Sequence, residues 1–188
     1  MDQRPSALIT GANSGIGQVI ASRLAQAGYD VAINFKVDEA GAENIARGLR
    51  EQYGGRAISV YADVGNGKDV DAMFRTVIER FGRLHALVNN AAVQVLKPFL
   101  DIEESEWDLV LTTNLKGCFL CTQRAARHMK QYGSGAIVNI GSGCNKVPFP
   151  RSRAVHGQQG RHRDAHQVCS AGVGSSRNSR QLHRSGRH

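Results

Sequence analysis

Short apolar runs without polar alternation recur along the first 140 residues, and most are followed by stretches whose apolar positions fall three and four apart. Ser6–Thr10 (SALIT) predicts a strand that enters a glycine-rich turn, Gly11–Gly17 (GANSGIG). From there Ile16, Val19, Ile20, Leu24 and Ala27 have the spacing of one helix face, and Gly28 ends the helix. Asp30–Phe35 predicts a second strand, Ala40–Tyr53 a helix with Ile45 and Leu49 on one face, and Arg56–Tyr61 a third strand. Lys68–Phe81 predicts a helix that turns Val70, Met73, Phe74, Val77 and Ile78 inward, stopped by Gly82. Leu84–Asn89 is a fourth strand, Ile102–Leu111 and Leu115–Tyr132 are helical, and Gly135–Ile140 is a fifth strand. Strands without polar alternation, separated by amphipathic helices, imply a parallel sheet covered on both faces. Right-handed crossovers then make an α/β, Rossmann-like doubly wound sheet of about five strands. Residues 1–150 are expected to form this partial domain.

After Pro150 the pattern stops. Residues 151–188 hold eight hydrophobic residues, no aromatic and five His, with no sustained period of 3.6 or 2. Such a stretch buries too little apolar surface to offset about 1–2 kcal/mol of backbone entropy per residue, so a disordered tail is expected.

Composition matters mainly through where the charge lies. The formal net charge of +8 suggests a polyanionic partner, yet residues 151–188 alone carry eight Arg against one acid, Asp164. The remaining 150 residues hold 16 bases and 15 acids and are nearly neutral. The tail would attract polyanions without specificity, and it lacks the interleaved aromatics that stack on bases, so no specific nucleic-acid partner is expected. No run approaches the ~18 apolar residues of a membrane span, and no membrane partner is expected. Met1–Ser6 is polar and Ala7–Ile9 is too short for the apolar core of a secretory leader. With only four Cys, a cytoplasmic, reducing setting is the expectation.

Candidate chemistry gathers at the first crossover. A pyrophosphate needs backbone N–H groups aimed from a helix N-terminus with no Cβ in the way. In Thr10–Gly17, Gly11 permits the tight turn, Gly15 lets phosphates approach and Gly17 lets helix and strand pack closely. Asn13, Ser14 and Ile16 complete that turn as candidate cofactor contacts. The second strand ends Asn34-Phe35-Lys36 with no acid before Asp38, so Lys36 either pairs with a ribose 2′-phosphate, favouring NADP over NAD, or is a solvated lysine. Asp63, followed by Val64, either accepts from an adenine amino group or caps the helix that follows.

Several motifs together identify a family. The TGxxxGIG turn at Thr10–Gly17, the Asp63-Val64 pair, Asn89-Asn90-Ala91-Ala92, Asn114, and Asn139-Ile140-Gly141-Ser142 occur in the order seen in short-chain dehydrogenases/reductases, which this chain resembles over roughly residues 6–150. Its second strand and the segment after Ser142 are most similar to the glucose 1-dehydrogenase and 3-oxoacyl-carrier-protein reductase types. The resemblance implies NAD(P)-dependent hydride transfer with a small-molecule secondary alcohol or carbonyl, Asn90 and Ala91 beside the cofactor ribose, and homodimers or homotetramers. It also implies a catalytic Ser, Tyr and Lys supported by an Asn, of which Ser142 and Asn114 match by position.

The Tyr-x-x-x-Lys pair should follow about 13 residues beyond the Ser. There the chain reads Val155-His156-Gly157-Gln158-Gln159, with no Tyr after Tyr132 and no Lys after Lys146. Read one base out of frame, the codons permitted for Val155-His156 allow Tyr, and those for Gln159-Gly160 allow Lys or Arg. The shifted frame stays compatible with family sequence through a later Asn-x-x-x-Pro-Gly. A one-base slip near Phe149–Arg151 is therefore expected, making the tail out-of-frame peptide, the chain truncated and inactive, and the oligomer interface compromised. The alternative is a non-catalytic nucleotide-binding or regulatory protein with a genuine basic tail. The fifth strand would become an apolar edge prone to self-association.

Other features read plainly. Cys118 and Cys121, one helical turn apart and without a second pair, predict core packing and no metal site. His162 and His166 lie in a segment with no helical pattern to hold a metal, and Cys144 and Cys169 have no assignable role. Trp107 is expected to pack in the helix before Asn114, and Asp101, Glu103, Glu104, Glu106 and Asp108 to form its solvated N-terminal end.

Overall fold

Residues 4–141 are described by a computed structural model. Five strands, β1 (Ser6–Ile9), β2 (Asp30–Phe35), β3 (Ala57–Tyr61), β4 (Ala86–Asn89) and β5 (Ala136–Asn139), form one parallel sheet in the order β3-β2-β1-β4-β5. Helices α1 (Gly15–Gln26), α2 (Glu39–Tyr53), α3 (Gly67–Phe81), α4 (Glu104–Val110) and α5 (Gly117–Gln131) connect them. The expected doubly wound α/β architecture is present.

Alternation along each strand divides the core in two. Ala7, Ile9, Val31, Ile33 and Phe35 face Ala21, Ala25, Ala42, Ala46 and Leu49 of α1 and α2. Leu8, Ala32, Val60 and Leu87 face Val70, Met73, Phe74, Val77 and Phe81 of α3 and Leu120, Cys121, Ala125 and Met129 of α5. Cys121 is thus a core residue, and burial pushes its thiol pKa up to about 12. Among the described residues no group of His, Cys, Asp and Glu could hold a metal, and no helix is long and apolar enough to cross a membrane.

Three expectations change. The inward face of α1 is Gly17, Ala21 and Ala25, while Ile16 and Val19 are exposed. Ile20 and Leu24 of the expected face pack partly buried against the core, but where α1 comes nearest the sheet only glycine and alanine fit. The break expected between the last two helices is absent: α4 continues through a π turn, Leu111–Lys116, into α5. Asn and Thr weaken helix propensity there, but the hydrogen bonds of Asn114 with the Val93 backbone hold the turn. At the start of α3, Asn66 is the cap, accepting from Lys68 N–H, and Asp63 is not. Trp107 is half-buried on α4, whose first turn is closed by a reciprocal Glu103–Glu106 capping box and a Lys97–Glu106 ion pair at 2.6 Å.

Among the described residues β3 and β5 are the outermost strands of the sheet. The strand AIVN of β5 has neither charge nor proline, and Val138 is half-exposed.

The N-terminal ends of the strands are held by polar groups. Asp30, buried at the start of β2, accepts from Arg56 N–H (2.8 Å) and from its guanidinium at Nε (2.8 Å) and Nη2 (2.6 Å). Asp30→Ala leaves these donors without their acceptor and should cost about 2–3 kcal/mol, since Arg56 keeps access to water. Urea unfolding midpoints of both proteins check this.

Nearby, His85 Nδ1 accepts from Ser6 N–H (3.0 Å) and His128 Nε2 from Leu84 N–H (3.1 Å), so both rings bond as neutral acceptors. Burial holds the pKa of both below the ordinary 6.5, reinforced by the Arg83 charge on each and by His128 on His85. The unfolded chain then binds more protons than the folded one in mildly acidic solution. Stability should be full above pH 6.5 and fall as pH drops below it. His85→Asn together with His128→Gln, which keep an acceptor but do not titrate, should flatten that decline in melts from pH 7.5 to 5.

Candidate functional site

From β1 the chain runs outward through β2 to β3, then returns to β4 on the other side of β1. The crevice opened by that reversal lies at the C-terminal ends of β1 and β4, where ligands bind in open α/β sheets. Into it projects the turn Thr10–Gly17.

Each of its glycines answers a different constraint. Gly11 has φ +60°, and a Cβ there would lie 2.9 Å from Ala91 Cα. Gly15 has φ +56° and opens onto empty space, with no atom within 4 Å of where a Cβ would be. At Gly17 a Cβ would meet Asn90 Nδ2 at 2.5 Å and Gly11 O at 2.6 Å, so any side chain drives α1 from the sheet. Ser14 begins α1 with extended backbone and no side-chain cap, and the first turn holds no acid. The first-turn N–H groups are thus left for another acceptor, and the helix dipole favours an anion. Ile16 stands exposed beside them.

Neighbouring strand ends brace the turn. Thr10 Oγ1 accepts from Asn90 N–H (2.9 Å) and Ala91 N–H (3.0 Å), and Asn90 Nδ2 donates to the carbonyls of Thr10 and Gly11 at 2.9 Å each. On the β2 side, Asn34 Oδ1 accepts from Gly11 N–H at 3.1 Å, and Asn13 Nδ2 donates to Val37 O at 3.0 Å. Asn90 is therefore directed into the protein, tying β4 to the turn.

At the ends of β2 and β3, Lys36 Nζ and Asp63 Oδ2 lie 2.7 Å apart, while Asp63 Oδ1 accepts from Gly65 N–H at 2.9 Å. Partial burial would raise the Asp63 pKa, but the hydrogen bonds from Lys36 and Gly65 outweigh it and hold the carboxyl below its usual range. Asp38 is spent on capping α2: it takes φ +62° and accepts from Gly41 N–H at 2.9 Å. Val64 is buried against Gly117, so its side chain belongs to the core.

On the far side, the π turn presents Asn114, whose Oδ1 accepts from Val93 N–H (2.8 Å) and whose Nδ2 donates to Val93 O (2.9 Å). Asn89 Nδ2 donates to Thr122 Oγ1 (2.9 Å) and to Asn139 Oδ1 (2.7 Å), linking β4, α5 and the end of β5. Cys118 Sγ also donates to Asn139 Oδ1, at 3.4 Å. The sheet thus brings the glycine turn, Lys36, Asp63, Asn90, Ala91 and Asn114 to one end. Ser142, the tail, His162, His166, Cys144 and Cys169 lie outside the described residues.

Thr10, Asn89 and Asn139 stand within the family motifs but were given no role of their own, and Asn34 lies outside those motifs. Asn34 had a signal: a lone amide within the apolar strand DVAINF must find partners if the strand is buried on both faces.

The donor set suits a dinucleotide: uncapped N–H groups at a glycine clearing, with an ammonium and a carboxylate at the adjacent strand ends. Comparison with known proteins agrees. The family model described as short chain dehydrogenase matches residues 5–154. The 3-oxoacyl-[acyl-carrier-protein] reductase FabG of Staphylococcus aureus (strain Mu50) is 39% identical over 150 residues, 80% of this chain and 61% of that protein. The oxidoreductase YohF of Escherichia coli (strain K12) is 41% identical over 149 residues, covering 79% and 58%. The chain therefore spans about six-tenths of the length of these curated relatives. Among solved structures, acetoin dehydrogenase YohF from Salmonella typhimurium superposes with a TM-score of 0.84 at 32% identity, covering 90% of this chain and 70% of that one. Acetoin dehydrogenase from Enterobacter cloacae gives 0.84 at 34%, covering 91% and 68%. With glycine turn, switch-point crevice and sequence in agreement, the chain belongs to the short-chain dehydrogenase/reductase family of oxidoreductases.

Proposed function

We propose that this chain binds NADP(H) at the crevice and derives from an enzyme that interconverts a secondary alcohol and a carbonyl. The observation that carries the reading is the uncapped N-terminus of α1 behind a turn whose glycines are required by φ and by clearance. The N–H groups of the turn and the first turn of α1 would hold the pyrophosphate. Lys36 would hold the 2′-phosphate, and Asp63 would accept from adenine. NADP is favoured over NAD because the nearest acid after β2, Asp38, is committed to capping α2, while a cation stands at the strand end. The cofactor, when bound, supplies or accepts the hydride. In the relatives the named groups are a 3-oxoacyl ketone and acetoin, a hydroxyketone, and a sugar or 3-oxoacyl substrate fits the same chemistry.

For catalysis the chain would contribute Ser142, polarising the carbonyl, and Asn114, anchoring a water in the proton path. Asn114 already bonds both polar atoms of its amide to the Val93 backbone, which fixes its orientation at the crevice wall. The tyrosine and lysine that would move the hydroxyl proton have no counterpart in the sequence, where Val155 to Gln159 stand instead. Hence the polypeptide as it stands binds cofactor without turnover, as a damaged enzyme or as a non-catalytic binder.

Three outcomes are expected. In fluorescence titration NADPH binds more tightly than NADH, and Lys36→Ala removes roughly tenfold of that preference by deleting one charge-assisted contact. Gly17→Val abolishes binding of both, because α1 cannot approach the sheet. Alcohol oxidation by the 188-residue chain is at least 10²–10⁴-fold slower, roughly, than by a version with the reading frame restored at Phe149–Arg151. Equal rates would refute the slip and the inactivity together.

A further inference from the structure

Asn34 is 2% exposed and sits in a strand whose other members, Asp30 apart, are apolar. Its amide orientation is forced by its partners. Gly11 N–H can only donate, so the atom facing it at 3.1 Å is Oδ1. The carbonyls of Ala62 (3.1 Å), Phe35 (3.3 Å) and Val60 (3.4 Å) can only accept, so the other atom is Nδ2. Asn34's own carbonyl accepts from Ala12 N–H at 2.9 Å.

One residue therefore joins three separate places: the glycine turn after β1, the end of β2 and the exit of β3. Lys36 lies two residues beyond Asn34, and Asp63 one residue beyond Ala62. These are the two partners of the 2.7 Å ion pair. The side chain thus sits between the glycine turn and the Lys36–Asp63 corner and is bonded toward both. It also occupies the Gly11 N–H, and its carbonyl the Ala12 N–H, so these two donors point to the protein and anion binding falls to the later part of the turn.

We infer that Asn34 is a positioning residue that sets the spacing between the glycine turn and the Lys36–Asp63 corner, so that a single ligand carrying two separated phosphate groups is gripped at both. The inference rests on the dinucleotide reading. A ligand that engages both places feels the loss of Asn34, and a ligand confined to the corner does not.

The test uses the full chain with NADPH as the two-place probe and adenosine 2′-phosphate as the one-place probe, together with hydrogen exchange at the Gly11 amide. Asn34→Ala should weaken NADPH about tenfold or more, leave adenosine 2′-phosphate within about twofold, and speed Gly11 exchange. Asn34→Asp keeps an acceptor for Gly11 but loses donation to Val60 and Ala62. It should keep Gly11 slow while still weakening NADPH selectively, and it decides the matter if Asn34→Ala does not fold. Equal losses for both probes would reduce Asn34 to general stability and overturn the inference, as would undiminished NADPH binding. A wild-type chain that binds neither probe would instead sink the dinucleotide reading. Gly11 exchange would then report alone on whether Asn34 holds the turn, fast exchange in wild type overturning that as well.

Discussion

The close approach of α1 to the sheet is the constraint on which this end of the molecule depends. At Gly17 the helix lies so near Gly11 O and Asn90 Nδ2 that no Cβ fits. That approach accounts for the small inward face of α1 and for the directions taken by Thr10 and Asn90. If the helix stood off by the width of a methyl group, Asn90 could no longer lie between α1 and the turn while donating to Thr10 and Gly11. The first-turn N–H groups would also leave the crevice. Packing and anion binding are here one requirement, because the backbone groups that would hold a phosphate are placed by the contact that excludes a side chain.

Asparagine does much of the remaining work at the C-terminal ends of the strands. Asn34, Asn89, Asn90, Asn114 and Asn139 each add side-chain hydrogen bonds to a neighbouring segment beyond the regular strand pairing. An amide both donates and accepts, so it can satisfy strand-end carbonyls and turn N–H groups together, without the desolvation cost of a charge. The charged pair Lys36–Asp63 lies at the rim, where both partners retain water. At the opposite end of the sheet the groups are ionic or titratable, Asp30 with Arg56 and His85 with His128, and they secure the strand starts.

Much of this was legible in the residues. Strand positions followed from apolar runs, and helix ends from Gly28 and Gly82, since those signals are local. Errors arose where tertiary contact overrode propensity. Thr112, Thr113 and Asn114 read as a break, yet Asn114's bonds to Val93 hold a π turn in their place. Ile16 and Val19 read as core, yet both are exposed, and the fully buried face nearest the sheet is Gly17, Ala21 and Ala25. Of the two readings of Asp63, the cap falls to Asn66 instead, and the pairing of Asp63 with Lys36 across two strand ends depends on a β2–β3 register that spacing does not reveal.

Sequence by itself determined the fold class, the glycine turn, the family motifs, and the absence of tyrosine after Tyr132 and of lysine after Lys146. These are matters of residue identity and short-range order, which the chain carries whether folded or not. Tertiary structure alone decided which side chains the protein keeps for itself. Asn90, Val64 and Asp38 are taken up by internal bonds or packing, and Asn34 joins places far apart along the chain, because such partners become neighbours only when the strands align.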